Sequence, residues 1–320
     1  MDKIGNLKRE KKVFRSRVIF SVVIMLSMTL ILTLRLFNLQ ITKHDFYVEE
    51  ALGNQMQSLP ITPIRGDILD RNGKILATNE FGYRLTITPE KVTSLNDTLV
   101  ELEINDYIDT KDIEKFNKNL NRYKKFHNIP VKFNLSESSA SSFLVNNQMP
   151  GVEIEPYFHR VYPYGATSSH LIGYVSAMSK EDKDKYDKIN YAGTDFVGKI
   201  GIEKQYENLL HGQSGIKQIE RNVAGRVVDS RVIDPSIPGQ DIYLNIDIDL
   251  QIKAESLLGD TRGVIALIDV TDGSVISLVS TPSFDPNWFV DGISVKQYDE
   301  LKNNEDLPLF DRSTKGLYPP

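Results

Sequence analysis

The sequence contains no cysteine among its 320 residues, which excludes disulfides, thiolate metal ligands and a cysteine nucleophile together. Histidine is scarce as well. His44, His127, His159, His170 and His211 are scattered, and none forms a His-x-x-x-His pair or sits at ligand spacing from a carboxylate, so no metal and no cofactor is expected. Basic charge is short everywhere except at the start. Residues 1–17 hold seven basic side chains against Asp2 and Glu10, a net of +5, and because the whole chain carries −5 the remainder carries −10. A surface able to neutralise many phosphates is therefore missing beyond the tail, and nucleic acid is excluded as a partner.

What is present begins with an apolar run. Val18 to Leu34 is seventeen residues without charge, closed by Arg35, which can snorkel to an interface. A core helix would show a polar stripe, and a signal peptide would exit through small residues rather than Arg-Leu-Phe-Asn-Leu-Gln. The run is read as an uncleaved anchor over 18–38 behind a cytoplasmic tail, 1–17. The basic cluster before it places the rest of the chain outside the cytoplasm. The 40% apolar and 25% charged composition is that of a globular chain with room for about two domains.

Beyond the anchor, helix is expected to continue through the segment FNLQITKHDFYVEEALGNQMQ. Ile68-Leu69 and Ile75-Leu76 flank Asn72-Gly73, a pair suited to a tight hairpin. Ile113, Phe116, Leu120 and Tyr123 share one helical face, with Asp109 or Thr110 as cap. Ile202, Tyr206 and Leu209/Leu210 form another stripe, ended by Gly212. IKQIERNVAGRVVDSRVID reads as a hairpin about Ala224-Gly225, and PSIPGQ reads as a linker. A second domain is expected from Asp241: a strand, a helix capped by Asp247 or Asp249 with Leu250, Ala254 and Leu257/Leu258 inward, then a hairpin about Thr271-Asp272-Gly273.

Chemistry is hard to find. Ser214-Gly215-Ile216-Lys217 fits S-x-x-K, a spacing that works on a helix, where an amine can reach a hydroxyl one turn away. Here it leads into a β-type run, which would hold the two side chains about 10 Å apart at roughly 3.3 Å per residue. No K-T-G occurs, and S-x-N occurs only as Ser94-Leu95-Asn96. Arg65-Gly66-Asp67 spells an adhesion tripeptide, but a turn before a strand accounts for it.

The stretch Arg65-Gly66-Asp67-Ile68-Leu69-Asp70-Arg71-Asn72-Gly73-Lys74-Ile75-Leu76-Ala77 nevertheless resembles the R-G-x-I-x-D-R-x-G-x-x-L-A signature of class B penicillin-binding proteins. Gly198 to Glu203 with Tyr206, the helix start Asp247 to Gln251, and Ser280 to Asn287 are similar too, in the family's order. His159 to Gly165, Ser169 to Tyr174 and Lys315 to Pro320 most resemble the elongation, rod-shape type, with the division type as the alternative. The resemblance implies an α+β fold: an elongated pedestal over 39–240 and the beginning of a serine transpeptidase domain over 241–320. It implies a D,D-transpeptidase that cross-links peptidoglycan through an acyl-enzyme and binds penicillin, with stem peptides and β-lactams as ligands. A polytopic membrane glycosyltransferase, other elongation-complex proteins and the lipid bilayer would be its partners. The family's nucleophilic S-x-x-K is expected just after Pro320, so chain 1–320 alone is expected to be inactive. A non-catalytic anchored scaffold or docking module is the competing function.

Arg65, Gly66, Asp70, Arg71, Gly73, Gly201 and Glu203 are the motif residues singled out. For Arg65, Asp70 and Arg71 the favoured role is structural, as paired, hydrogen-bonded contacts that lock sub-structures together. A partner or substrate contact is the other possibility.

Overall fold

The computed structural model describes residues 7–44, 47, 56–120, 128–146, 149–221 and 227–317. They fall into two compact units, one from 1–59 with 217–233 and the other from 60–216 with 234–320.

The first unit starts with the helix Leu7–Phe37, which is continued by a π turn over Asn38–Thr42. Neither glycine nor proline interrupts the sequence here. Phe14–Thr42 contains an 18-residue stretch with a mean hydropathy of 2.2, is long and apolar enough to cross a bilayer, and none of that stretch is buried within the protein. Three of its hydroxyls are satisfied inside the helix. Ser21 donates to the Arg17 carbonyl at 3.0 Å, Thr29 to Met25 at 2.9 Å and Thr33 to Thr29 at 2.9 Å. That is the arrangement hydrocarbon demands, because no water is available there to pair polar groups. The expected continuation of helix ends differently: Met56 and Gln57 already belong to a strand, Met56–Ile61, and 48–55 lie outside the described residues. This strand forms a three-stranded sheet with Gly215–Arg221 and Val227–Asp234; the turn expected about Ala224-Gly225 lies outside the described residues.

The second unit is built on the long strand Ile75–Ile87. Ile68–Leu69 pairs antiparallel with its start, turned by Asn72-Gly73, where Gly73 has φ +82. That angle favours glycine, and the space around Gly73 is otherwise open. Val152–Val161 pairs with the long strand in unbroken register from Thr78↔Val161 to Ile87↔Val152, and Ile129–Leu135 pairs with its second half. Helices Leu95–Ile104, Thr110–Leu120 and Glu137–Asn146 contribute to the core on this sheet, which includes Leu85, Ile87, Leu102, Phe116, Ile129 and Phe143. Asp109 caps the middle helix by accepting from the Asp112 N–H at 2.9 Å. Phe116 points fully inward with Ile113 and Leu120 beside it, while Tyr123 lies outside the described residues.

Residues on both sides of position 240 share a second core of Ile68, Leu76, Tyr162, Ile172, Leu210, Ile248 and Val290. Ile242–Tyr243 adds to the sheet parallel to Ile68–Leu69. The segment Pro235–Gln240, expected as a linker, is surface-exposed but tied down by backbone hydrogen bonds. Gln213 and Ile237 exchange both backbone bonds at 2.9 Å, and Gly239 donates to the Ile64 carbonyl at 2.8 Å. A β-carbon on Gly239 would sit 1.8 Å from the Leu210 oxygen, so its glycine marks a close approach rather than slack.

Two further expectations change. The stripe around Tyr206 is split between two short helices, Gly201–Gln205 and Glu207–His211, with Leu210 buried and Tyr206 and Leu209 exposed. The helix Ile248–Leu258 turns Ile248, Gln251 and Ala254 inward and leaves Leu250 and Leu257 42% and 70% exposed. The final hairpin, Gly263–Ile268 with Val275–Thr281, turns about Thr271-Asp272-Gly273.

Candidate functional site

Glu203 has no exposed surface, and its carboxylate is met from two directions. Arg65, just ahead of strand Ile68–Leu69, donates Nε to Glu203 Oε2 at 2.7 Å and Nη2 to Glu207 Oε2 at 2.7 Å. Arg160, at the end of strand Val152–Val161, donates Nε to Glu203 Oε1 at 2.8 Å and Nη1 to the Gly66 carbonyl at 2.8 Å. The Tyr162 hydroxyl donates to Glu203 Oε1 at 3.2 Å and accepts the Val175 N–H at 2.9 Å. Glu207 also takes the Gly198 N–H at 2.8 Å. Two guanidinium groups thus face two carboxylates inside the protein, and three segments distant in sequence are tied at one point.

Glycine makes this geometry possible. Gly201 opens the short helix at φ +63, and a β-carbon there would come within 2.6 Å of the Leu171 oxygen. Gly66 lies against the Gln240 carbonyl, where a β-carbon would fall at 2.0 Å. Electrostatics reflect the burial. Desolvation alone would raise the Glu203 carboxyl, but Arg65 and Arg160 outweigh it and hold the group below its ordinary value. Burial, reinforced by Glu203, pushes the Tyr162 phenol well up, so it stays a donor. A buried pair of this kind adds little over an apolar core, yet removing one partner typically costs about 3–5 kcal/mol.

A second cluster gathers on Asp70, which is also fully buried. Its Oδ1 accepts the Asn72 and Lys74 N–H groups, both at 2.8 Å, which shapes the hairpin turn. Its Oδ2 accepts the Ile248 N–H at 3.3 Å, at the start of helix Ile248–Leu258. A carboxylate there meets the unpaired donors and positive end of the helix. Arg71 is exposed and joins through its backbone, donating its N–H to the Ile246 carbonyl at 2.9 Å. Asn72 Nδ2 reaches Asp247 at 3.1 Å, and Lys74 pairs with Asp249 at 2.6 Å. Asp247 is the helix cap, accepting from the Asp249 and Leu250 N–H groups.

Two joining residues lie in stretches noted only for their resemblance, with no role assigned to them. Asn287 mimics a strand partner for Tyr162, accepting its N–H at 2.9 Å and donating to its carbonyl at 3.0 Å. Buried Gln251 does the same for Leu278, at 2.8 and 2.7 Å. Both are short polar side chains that substitute for backbone, and no periodicity marks them. His211 is neutral by its surroundings: burial lowers its pKa, Nδ1–H donates to the Gly212 carbonyl, and Nε2 accepts from Thr194 at 2.7 Å. The Ser214 hydroxyl donates to the Asn190 carbonyl, and Lys217 lies in the strand Gly215–Arg221. A serine so committed has no base to activate it.

The lock makes a pH-dependent forecast. Because the native Glu203 carboxyl titrates below its unfolded value of about 4.3, its contribution is complete above that pH and is lost as pH falls through the lower native value. Glu203→Gln should lower the thermal midpoint at pH 7 by about 5 °C or more, from a loss of about 3–5 kcal/mol. It should also flatten the fall of the midpoint below about pH 4.3. Calorimetry across pH checks both, and an unchanged midpoint with an unchanged acid slope would show that Glu203 is not paired.

Comparison with known proteins brings in the same residues. The Penicillin-binding Protein dimerisation domain family matches residues 60–244, which include Arg65, Asp70, Arg160, Glu203 and Glu207. Peptidoglycan D,D-transpeptidase MrdA of Escherichia coli is 42% identical over 316 residues, 97% of this chain and 50% of that protein. The Haemophilus influenzae protein of the same name is 41% identical over 318 residues, 98% of this chain and 49% of its own length. A solved complex between a penicillin-binding protein (PBP2) and MreC from Helicobacter pylori has a TM-score of 0.67 at 28% identity, covering 83% of this chain and 50% of that one. The chain spans about half the length of the curated relatives it matches. With more than half of its residues inside the family match, and with α+β architecture shared with those structures, the chain belongs to the penicillin-binding protein dimerisation-domain family.

Proposed function

We propose that the chain serves peptidoglycan cross-linking in cell elongation, as the membrane-anchored part of a serine D,D-transpeptidase. The observation that carries this is the joint at Asp70. A side chain of the family signature accepts both the hairpin amides and the first amide of helix Ile248–Leu258, and so fixes the segment after Asp241 to the region before it. Such a joint performs no chemistry; it orients the segment that starts at Asp241. In this reading 18–38 anchor the chain, 39–240 form a pedestal and 241–320 open the transpeptidase domain. The complete enzyme would attack a D-Ala-D-Ala stem peptide with a serine beyond Pro320 and form an acyl-enzyme. It would then pass the acyl group to an amine on a neighbouring strand, and β-lactams would acylate the same serine.

The solved Helicobacter pylori relative is a complex with MreC, which supports a protein partner for this chain too. A polytopic membrane glycosyltransferase is a further partner in this reading. Seven basic side chains in 1–17, directly before the apolar helix, favour a cytoplasmic tail and an outer location for residues 40–320.

Because the Ser214 hydroxyl is held by the Asn190 carbonyl, chain 1–320 should remain unlabelled by fluorescent penicillin. A product read through the codons beyond Pro320 should be labelled, and the label should vanish when the serine of its S-x-x-K stretch becomes alanine. Labelling of chain 1–320 that disappears with Ser214→Ala, or a longer product that takes no label, would overturn the assignment.

Orientation has its own test. Protease added to sealed spheroplasts should digest the chain beyond residue 40 and spare the basic tail. A protected outer region with a digested tail reverses the topology.

A further inference from the structure

A cleft of about 200 Å³ opens beside the lock, lined by Ile64, Arg65, Asp67, Asn79, Phe158 and Asp241 among others. Its frame is fixed by backbone. Gly66 donates to the Leu210 carbonyl, Gly239 to Ile64 and Ile242 to Asp67, each at 2.8 Å. The Asp67 N–H donates to Asp241 Oδ1 at 2.8 Å, and Asn79 Nδ2 donates to the Arg65 carbonyl at 2.6 Å. A site built this way needs little ordering when something enters it.

One wall is aromatic and open to solvent. Phe158 is 51% exposed and Phe81, edge-on to it with centroids 5.8 Å apart, is 57% exposed. The opposite chemistry is anionic. Arg65 lines the cleft with its Nε and Nη2 turned to Glu203 and Glu207, and Arg160 directs Nε to Glu203 and Nη1 to the Gly66 carbonyl. Asp67 stands 3.9 Å from Arg160 Nη1 and takes a long 3.4 Å bond from Asn79. Asp241 is exposed and has no cationic side chain within 4 Å among the described residues.

We propose that this cleft seats an arginine side chain presented by a partner polypeptide. The volume is below that of a drug-sized pocket and suits a single side chain. A cation compensates Asp241 and adds to the distant Arg160 at Asp67, whereas a neutral hydroxylated ligand would leave Asp241 without a counter-charge. A guanidinium adds a planar face for the Phe158 ring and a fork of donors for the carboxylates, which an ammonium lacks. Only the cleft's own groups are used here, so an arginine can seat whether or not the transpeptidase reading holds.

Saturation-transfer NMR on the full chain in micelles tests it with N-acetyl-arginine amide as probe. N-acetyl-norleucine amide and chitotetraose serve as the apolar and glycan comparisons. Transfer to the arginine δ-methylene should be clear, and should fall at least fivefold in the double variant Asp67→Asn, Asp241→Asn, whose amide oxygen at 241 can still accept the Asp67 N–H. Phe158→Ser, at an exposed position, should weaken it independently. Equal transfer to norleucine, arginine transfer undiminished in both variants, or transfer to chitotetraose alone would overturn the proposal.

Discussion

Glu203 has no contact with solvent, so its charge has to be met inside the protein. Arg65 and Arg160 meet it, and the segments that carry them are thereby fixed: the entry to strand Ile68–Leu69, the end of strand Val152–Val161, and the short helices through Glu207 and His211. Tyr162 extends the same point outward, with its hydroxyl on Glu203 and its backbone paired to Asn287. The constraint is severe because partial satisfaction is worse than none. A buried carboxylate with one guanidinium removed is an uncompensated charge, so the three segments keep their places together or lose them together.

On this frame the Asp70 joint can act. Ile68–Leu69 sits between Arg65 and Asp70, so the lock positions one side of the hairpin and Asp70 carries that position to helix Ile248–Leu258. The parallel pairing of Ile242–Tyr243 with Ile68–Leu69 and the Lys74–Asp249 pair repeat the connection at lower cost. Lys74 and Asp249 are both substantially exposed, so solvent screens that pair and it adds little. The buried Asp70 bonds matter more, because losing the acceptor would leave amides of the turn and the helix start unpaired.

Local features were legible in the sequence and long-range polar ones were not. Asn72-Gly73 predicted its hairpin because positive φ is a property of the residues themselves, and Asp247 announced a helix start for the same kind of reason. Glu203 gave no hint of Arg65 or Arg160, 138 and 43 residues away, since ion pairing leaves no periodic trace. Gln251 occupies an inward position that the apolar pattern assigned to Leu250 and Leu257, because its amide replaces backbone partners on Leu278. Pro235–Gln240 failed in another way: proline and glycine signal both slack and tight crossings, and only the neighbouring Leu210 and Ile64 carbonyls decide between them. The family resemblance reached further than periodicity, because a signature preserves the order of residues whose contacts it does not display.

The central claim is that the signature residues act by pairing with one another inside the fold. A double-mutant cycle on Arg160→Met and Glu203→Gln, read by chemical denaturation of the full chain, measures that pairing directly. The account predicts that the double variant loses less stability than the two single losses combined, with a coupling of about 1–3 kcal/mol. Additive losses, within about 0.3 kcal/mol, would mean that the two side chains do not depend on each other and would contradict it.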